Sequence, residues 1–266
     1  MYTTAFGLTR HPFGGDPESD RLFRTPELDE AHSRLRYLVE HRALGVLTGE
    51  PGTGKSTALR RLRDEIHPEQ VRAIYLHDTE VSARDLCQQI ALELGLQPQI
   101  SRAQSLRNIQ HEIRRLATER RLTVLLVLDE AQNLRPQVPA LLSTLTSFDW
   151  DATRHVALLL AGQVGLRQRL RMAHLEALDQ RITVRFNLAG FDRETTKSYL
   201  EHRLQVAGAT RPLFCQPAIE ALFTVSQGIM RRIDTLAHNA LAVAATRKAQ
   251  IIDADHVLQA AQEMRS

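Results

Sequence analysis

The feature that most constrains this 266-residue chain is the run Gly49-Glu50-Pro51-Gly52-Thr53-Gly54-Lys55-Ser56. It fits G-x-x-x-x-G-K-[ST] at every fixed position, and it joins an apolar segment, Leu44 to Leu47, to a helical pattern from Thr57 to Ile66. In such a loop the glycines let backbone N–H groups curl around a phosphate, and the helix that follows faces the same group with its positive end. An ordinary glycine-rich turn is the alternative, which the strand–loop–helix order disfavours.

Individual residues of this loop have separate roles in binding a nucleoside triphosphate. Lys55 reaches the β- and γ-phosphates, and the Ser56 hydroxyl binds Mg²⁺. The predicted nucleotide-binding set is Gly49, Glu50, Pro51, Gly52, Thr53, Gly54, Lys55, Ser56 and Thr57. Lys55 is one of only three lysines among 34 basic residues, so its place in the motif is not a product of lysine-rich composition.

The composition is that of an ordinary globular protein, with 43% hydrophobic and 24% charged residues. Two cysteines, Cys87 and Cys215, lie far apart without metal-binding neighbours, which favours buried thiols in a reducing compartment. The longest apolar runs have the length of strands, whereas a membrane span needs about 18 apolar residues. The N-terminus has no basic start and no apolar core of a signal peptide. We therefore expect a cytoplasmic protein without a membrane partner.

Five apolar strands alternate with helical patterns in the first 190 residues. They are predicted at Leu44–Leu47, Val71–His77, Thr123–Leu128, Val156–Ala161 and Ile182–Leu188. This alternation is typical of an α/β fold in which helices cover a parallel five-stranded sheet. After Phe191 only helical patterns follow. The predicted domains are an α/β nucleotide-binding domain, 1–190, and a small all-helical C-terminal domain, 191–266.

The second strong signal is the pair Asp129-Glu130 at the end of the apolar run from Val124 to Leu128. Ligands of open α/β sheets bind at the carboxyl ends of the strands. Asp129 is therefore predicted to hold Mg²⁺, and Glu130 to orient and polarise the attacking water. A helix N-cap is the alternative interpretation of the two acids, and the loop 74 residues upstream disfavours it.

Six short segments follow one another along the chain in an order shared with a known family. They are Phe6-Gly7-Leu8 with Pro12-Phe13, the phosphate-binding loop, Asp129-Glu130-Ala131-Gln132, Leu160-Ala161-Gly162-Gln163, Gln180-Arg181-Ile182 and Gly228-Ile229-Met230-Arg231-Arg232-Ile233. Over nearly its whole length the chain resembles the AAA+ ATPases. Within them it resembles the ExeA-like group and the ATPases that assist DNA transposition, of the TnsC, TniB, MuB and IstB types.

The resemblance implies a P-loop NTPase that hydrolyses ATP. It also implies roles for further residues of the site. Gln163 matches the sensor that contacts the γ-phosphate or the attacking water, unless it is simply a polar turn residue. Arg181 matches the arginine finger that enters a neighbouring subunit's site, although a surface charge remains an alternative in a chain so rich in arginine. Arg231 matches the nucleotide-contacting sensor of the helical lid. Because Met230 replaces the family's proline, Arg232 remains an alternative.

Two segments of the chain are rich in arginine. The arginines are Arg102, Arg107, Arg114, Arg115, Arg120 and Arg121, then Arg154, Arg167, Arg169, Arg171, Arg181 and Arg185. They predict either contact with the DNA backbone without base recognition or solvated helix faces.

Phe6 to Phe13 is expected to line the adenine pocket or to pack against the core.

The resemblance supports two functions in a macromolecular assembly. In the first, the protein oligomerises on double-stranded DNA with ATP and Mg²⁺ as a ring or filament, recruits a transposase and disassembles on hydrolysis. The net charge of +3 and the end of the chain soon after the helical domain favour it. The alternative is an ExeA-like ATPase that assists assembly of a secretion or pilus machinery. A third possibility, a nucleotide-gated switch with negligible turnover, is disfavoured by Glu130.

Overall fold

The computed structural model describes residues 2–13, 23–149, 152–172 and 175–264. Its strands are β1 (Leu44–Gly49), β2 (Val71–Leu76), β3 (Thr123–Leu128), β4 (Val156–Gly162) and β5 (Ile182–Leu188). Within the described ranges these five strands form one sheet, in the order β2-β3-β4-β1-β5, with parallel pairing throughout. The predicted α/β fold class with a parallel five-stranded sheet is confirmed.

The helices account for most of the remaining described residues. They are α1 (Tyr2–Ala5), α2 (Pro26–Glu40), α3 (Lys55–Glu65), α4 (Ala83–Glu93), α5 (Arg102–Glu119), α6 (Val138–Leu145), α7 (Gly165–Leu170), α8 (Glu176–Arg181), α9 (Arg193–Val206), α10 (Gln216–Ser226), α11 (Met230–Thr246) and α12 (Ala254–Glu263). Side chains cap the start of three of the described helices: Ser82 accepts from the Asp85 N–H before α4, Asp192 from the Thr195 N–H before α9, and Asp253 from the His256 N–H before α12. No helix in the described part of the chain is long and apolar enough to cross a membrane.

Burial differs between the centre and the edges of the sheet. Strands β1 and β4 are buried at every residue, and β3 is buried from its second residue onward. The edge strands β2 and β5 alternate instead between buried and more exposed residues. Because both faces of the central strands are covered, the sequences of these strands are continuous apolar runs. Parallel pairing places the carboxyl ends of these strands side by side.

The chain divides into two compact units. A sheet unit contains the described residues of Glu27–Gly49 and Lys55–Leu188, and a helical unit contains those of Met1–Pro26, Glu50–Gly54 and Ala189–Ser266. The change between Leu188 and Ala189 falls close to the predicted boundary at 190. The N-terminal segment differs from the expectation, because it groups with the helices rather than with the sheet.

Aromatic residues explain why the N-terminal segment groups with the helical unit. Phe6 and Phe13 are buried in the same core as the residues of α9 to α12. The buried guanidinium of Arg203 donates to the Pro12 carbonyl at 2.7 Å and to the Tyr199 hydroxyl at 3.1 Å, and it lies 3.8 Å from the Asp234 carboxylate. The segment from Phe6 to Phe13 therefore packs against the core of the helical unit.

Candidate active site

The carboxyl ends of three adjacent strands bring the sequence-predicted residues of the sheet unit to one edge. Strand β4 lies between β1 and β3, so Gln163 stands between the end of β1 at Gly49 and the end of β3 at Asp129. In the register of the sheet, Thr48 of β1 is the partner of Gly162 of β4. Topology alone therefore assembles a cationic, an amide and a carboxylate group at this edge.

The glycines of the phosphate-binding loop adopt a backbone conformation that other residues rarely take. The φ angles of Gly52 and Gly54 are +89° and +101°. Lys55 is a buried residue, with 7% of its surface exposed. Its Nζ donates to the Gly49 carbonyl at 2.8 Å. This contact holds the ammonium group against the start of the loop.

The tip of the loop is closed by a tight turn. The N–H and the hydroxyl of Thr53 both donate to the Glu50 carbonyl, at 3.2 and 2.9 Å. Glu50 and Pro51 are exposed, whereas Thr53 is buried. Ser56 and Thr57 lie in the first turn of α3, with the Ser56 side chain exposed. The Ser56 hydroxyl is thus accessible to a ligand beside the N-terminus of an eleven-residue helix.

Within the helical unit, the start of α11 contacts the tip of this loop. The Arg231 N–H donates to the Gly52 carbonyl at 3.2 Å. A Cβ atom at Gly52 would lie 2.6 Å from Cβ of Arg231 and 3.2 Å from Cγ2 of Ile229, so this close approach requires glycine. The contact favours Arg231 over Arg232 as the predicted sensor, and the sensor role itself stays a prediction.

Asp129 is buried, and its carboxylate is oriented by two hydrogen bonds. Oδ1 accepts from the Glu130 N–H at 2.9 Å, and Oδ2 accepts from the Tyr75 hydroxyl of the neighbouring strand β2 at 2.6 Å. Burial, together with this bond, raises the pKa of the Tyr75 hydroxyl above its ordinary value, so the group remains a donor. His77 lies at the rim, with Nδ1 4.0 Å from Oδ2.

The donor set at this edge fits Mg²⁺ better than a cation that needs an all-protein cage. In the described residues there is no group of three or more His, Cys, Asp or Glu side chains that could enclose a metal. Mg²⁺ is held by one or two protein oxygens, several waters and the phosphates of a substrate. One carboxylate, Asp129, and one hydroxyl, Ser56, are sufficient for such a site.

Glu130 is held differently from its neighbour. Its backbone is in the left-handed region, with φ 49° and ψ 37°, which is uncommon outside glycine. Its Oε2 accepts from Nε2 of Gln132 at 2.5 Å, and Oε1 of Gln132 accepts from the N–H of Gln163 at 3.0 Å. The candidate water-activating carboxylate and the candidate sensor position are therefore joined through one carboxamide.

The Arg181 side chain caps the C-terminal end of α6 in its own chain. Nη1 donates to the Ser143 carbonyl at 2.7 Å and to the Ser147 hydroxyl at 2.9 Å, and Nη2 donates to the Thr146 carbonyl at 3.0 Å. A cation at the carbonyl end of a helix satisfies groups that lack a partner within the helix. The structure thus gives Arg181 a structural role, and the arginine-finger role stays a prediction.

The structure divides the twelve arginines of the two basic segments into two groups. Five bond within the chain: Arg114 with Asp149, Arg115 with Glu112, Arg169 with the Leu134 carbonyl, Arg181 with α6, and Arg185 with Asp179. Seven others are exposed: Arg102, Arg107, Arg120, Arg121, Arg154, Arg167 and Arg171. Any contact with a polyanion would depend mainly on the second group.

Sequence reasoning missed two residues that support the carboxylates. Tyr75 reaches Asp129 from β2, and this contact depends on the register of β2 and β3, in which Tyr75 is the partner of Val127. Gln132 stood inside a recognised segment without a role. Its contact with Gln163 becomes visible only when the ends of β3 and β4 are placed side by side.

Known proteins share sequence with most of this chain. The sequence model of the AAA domain family matches residues 37–170, which include the phosphate-binding loop and both carboxylates. General secretion pathway protein A of Aeromonas hydrophila is 34% identical over 253 residues, covering 93% of this chain. The match covers 45% of that protein, so this chain spans about half of its length.

Solved structures share the fold at low sequence identity. Cdc6p from Pyrobaculum aerophilum has a TM-score of 0.70 at 19% identity, covering 95% of this chain and 70% of that chain. The Aeropyrum pernix ORC1 protein in complex with DNA has a TM-score of 0.66 at 20% identity, covering 92% and 67%. The Thermotoga maritima RuvB branch migration motor has a TM-score of 0.52 at 16% identity, covering 88% and 68%. From the match over residues 37–170, with the loop, sheet order and carboxylate pair described above, the chain belongs to the AAA domain family.

Proposed function

We propose that this chain is a Mg²⁺-dependent ATPase that works as an oligomer. The observation that supports it most strongly is the edge of the sheet, where Lys55, Gln163 and the Asp129-Glu130 pair follow three adjacent strands. Membership in the AAA domain family supports ATPase activity in general. A buried carboxylate can hold a metal ion while a second, more accessible carboxylate orients the attacking water.

Each residue at this edge has one task in the proposed reaction. The loop amides and Lys55 bind the phosphates, while Ser56 and Asp129 hold the cation. When bound, Mg²⁺ supplies positive charge to the phosphate oxygens. Glu130 orients the attacking water and accepts its proton, and Gln163 contacts the γ-phosphate or that water.

Two arginines connect hydrolysis to assembly in this proposal. Arg181 of a neighbouring copy neutralises charge in the transition state, and Arg231 contacts the nucleotide. Because Arg181 bonds to the end of α6 in its own chain, entry into a neighbouring site exchanges those bonds for bonds to phosphate. Hydrolysis therefore depends on protein concentration.

The ATPase proposal is tested by replacing Glu130 with Gln. The side chain keeps its size but loses the ability to accept a proton, so turnover falls by about 10³-fold while ATP still binds. Turnover is measured as phosphate release, and binding by equilibrium titration. Glu69→Gln, at an exposed position before β2, is the matched control and keeps wild-type turnover. Unchanged turnover in Glu130→Gln would overturn the assigned role.

The first candidate context is assistance to the assembly of a secretion or pilus machinery from the cytoplasmic side. It is favoured by the 34% identity to General secretion pathway protein A over 93% of this chain. In this context, ATP-driven changes of the oligomer act on protein subunits of the machinery.

The second candidate context is regulation of transposition on double-stranded DNA, with a transposase as partner. The seven exposed arginines favour it, because guanidinium groups bind phosphates independently of sequence. The test mixes the protein with duplex DNA and a slowly hydrolysed ATP analogue and images rings or filaments. Arg102→Ala, Arg107→Ala and Arg121→Ala together should lower the slope of log affinity against log salt by about 0.9 for each lost phosphate contact. Arg211→Ala in the helical unit is the control, and absence of DNA binding at low salt would leave only the first context.

A further inference from the structure

The Gln132 side chain connects Glu130 with the end of β4. It lies in a short 3-10 turn, Ala131–Asn133, directly after the carboxylate pair. Its carboxamide donates to Oε2 of Glu130 at 2.5 Å and accepts from the N–H of Gln163 at 3.0 Å. The two bonds use both ends of the same amide group.

The chemistry of the three groups fixes the direction of this bridge. A backbone N–H can only donate, so it must face the oxygen of the Gln132 amide. An ionised carboxylate can only accept, so it must face the nitrogen. If the amide were flipped, its oxygen would face the Glu130 carboxylate and its nitrogen would face the Gln163 N–H. Both hydrogen bonds would then be lost.

The space for the Gln132 amide exists because residue 162 is glycine. A Cβ atom at Gly162 would lie 2.5 Å from Oε1 of Gln132, 3.2 Å from Cδ2 of Leu166 and 3.4 Å from the Ala131 nitrogen. The first contact is shorter than real Cβ contacts, and it involves the end of a flexible side chain. A methyl group there would displace the amide before it displaced the strand.

The backbone of Glu130 is restrained separately from its side chain. The Thr79 hydroxyl and the Asn133 N–H both donate to the Glu130 carbonyl, at 3.0 and 2.9 Å. These bonds hold the left-handed backbone at this position. The direction of the half-buried carboxylate depends in addition on Gln132.

We propose that Gln132 is a positioning residue for ATP hydrolysis, which holds the Glu130 carboxylate and ties its direction to the first peptide after β4. The inference rests on the proposed ATPase function. Because the bridge ends at the backbone of Gln163, a shift of that peptide on nucleotide binding is passed to the carboxylate through two hydrogen bonds. Gln132 thereby couples contact with the γ-phosphate to the aim of the water-activating group.

The first test is Gln132→Ala, which removes both bonds and keeps Glu130. We expect kcat to fall by about 100-fold, the cost of a misplacement of about 1 Å, while KM and the ATP dissociation constant stay within about twofold. Gln137→Ala, at an exposed position before α6 whose side chain makes no capping bond, is the matched control and keeps wild-type kcat.

The second test separates positioning from a merely structural effect. Gly162→Ala keeps Gln132 but displaces its amide, so it should reproduce most of the loss in kcat and add little to Gln132→Ala. In single-turnover measurements, Gln132→Ala should also cause no further loss in a Glu130→Gln background, because residues that act through one group are not additive. If the rate losses of Gln132→Ala and Glu130→Gln were fully additive in the double variant, the proposal would be overturned.

The outcomes distinguish this inference from the proposed function. If the wild type hydrolyses ATP and Gln132→Ala keeps its full kcat, the positioning role is wrong and the ATPase stands. If the wild type does not hydrolyse ATP, the ATPase proposal fails. Crystal structures of the wild type and Gly162→Ala with a non-hydrolysable ATP analogue then decide the positioning role. Departure of the Glu130 carboxylate from Gln132 in Gly162→Ala supports it, and an identical carboxylate position in both overturns it.

Discussion

Asp129 and Glu130 are adjacent carboxylates at the end of one strand, yet their surroundings differ. Asp129 is buried and is held by the next backbone N–H and by Tyr75 from the paired strand β2. Glu130 is half-buried, lies just beyond the strand and is held at its carboxylate by Gln132. The orientation of the first carboxylate follows from strand pairing, whereas that of the second depends on a side chain in a loop.

This difference matches the two chemical tasks that we propose for these residues, holding Mg²⁺ and aiming water. A cation ligand is useful when its position is fixed before the substrate arrives, because a preformed site loses less entropy on binding. A group that aims a water molecule acts only when the phosphate is in place, so a link to the neighbouring strand end is useful. We call the two groups with their supporting residues the metal side (Asp129 and Tyr75) and the water side (Glu130 and Gln132).

The largest effect is expected from Asp129→Asn, which breaks the metal side. The amide keeps the shape of the side chain but removes the charge that, in the proposed reaction, holds Mg²⁺. We expect a loss of about 5 kcal/mol of transition-state stabilisation, or roughly 10⁴-fold in kcat/KM. Unlike Glu130→Gln, this variant should also lose the Mg²⁺-dependent part of ATP affinity, measured by titration with and without Mg²⁺. Equal Mg²⁺ dependence in the two variants would remove the distinction between the two sides.

Arg181→Ala tests whether a neighbouring subunit completes the water side. We expect kcat to fall by about 10³-fold if Arg181 is an arginine finger. Mixing inactive Arg181→Ala with inactive Glu130→Gln should then restore turnover, because each Glu130→Gln subunit supplies its arginine to an intact site. No recovery in the mixture would limit Arg181 to the capping of α6.

The same substitution has a second, separable consequence for stability. Removing the guanidinium leaves the Ser143 and Thr146 carbonyls without this donor, which should lower the free energy of unfolding by about 1–3 kcal/mol. Urea denaturation measures this loss in isolated subunits. Complementation in mixtures therefore needs to be tested at a temperature where Arg181→Ala remains folded.

On each side, the sequence located the carboxylate but not the residue that supports it. Asp129 and Glu130 could be located because a buried apolar strand must end at the ligand-binding edge. Tyr75 could not, since its contact requires both the order of the strands and the register in which it faces Val127. Gln132 could not either, because its space depends on the missing Cβ at Gly162.

The N-terminal segment shows the same limit on a larger scale. The apolar pattern around Phe6 and Phe13 indicated burial, but it carried no information on which core the rings enter. The deciding group is the buried guanidinium of Arg203, which donates to the Pro12 carbonyl. A single arginine in a helix pattern is read as solvent-exposed, because arginine is almost never fully buried without a partner. Only the fold brings these partners together.

The smallest effect is expected from Tyr75→Phe, which weakens the metal side without removing a ligand of the cation. The ring stays and the hydroxyl that orients Asp129 is lost. We expect the Mg²⁺ concentration for half-maximal turnover to rise about tenfold, at the low end for a residue behind a metal ligand, because Tyr75 is 52% exposed and water replaces part of the bond. At saturating Mg²⁺, kcat should return to the wild-type value, in contrast to Gln132→Ala. Tyr37→Phe is the matched control, since Tyr37 is 50% exposed on α2, and it should change neither quantity. A lower kcat at saturating Mg²⁺ in Tyr75→Phe would mean that the two sides are not separate, because an orienting bond to Asp129 would then also govern the water that Glu130 activates.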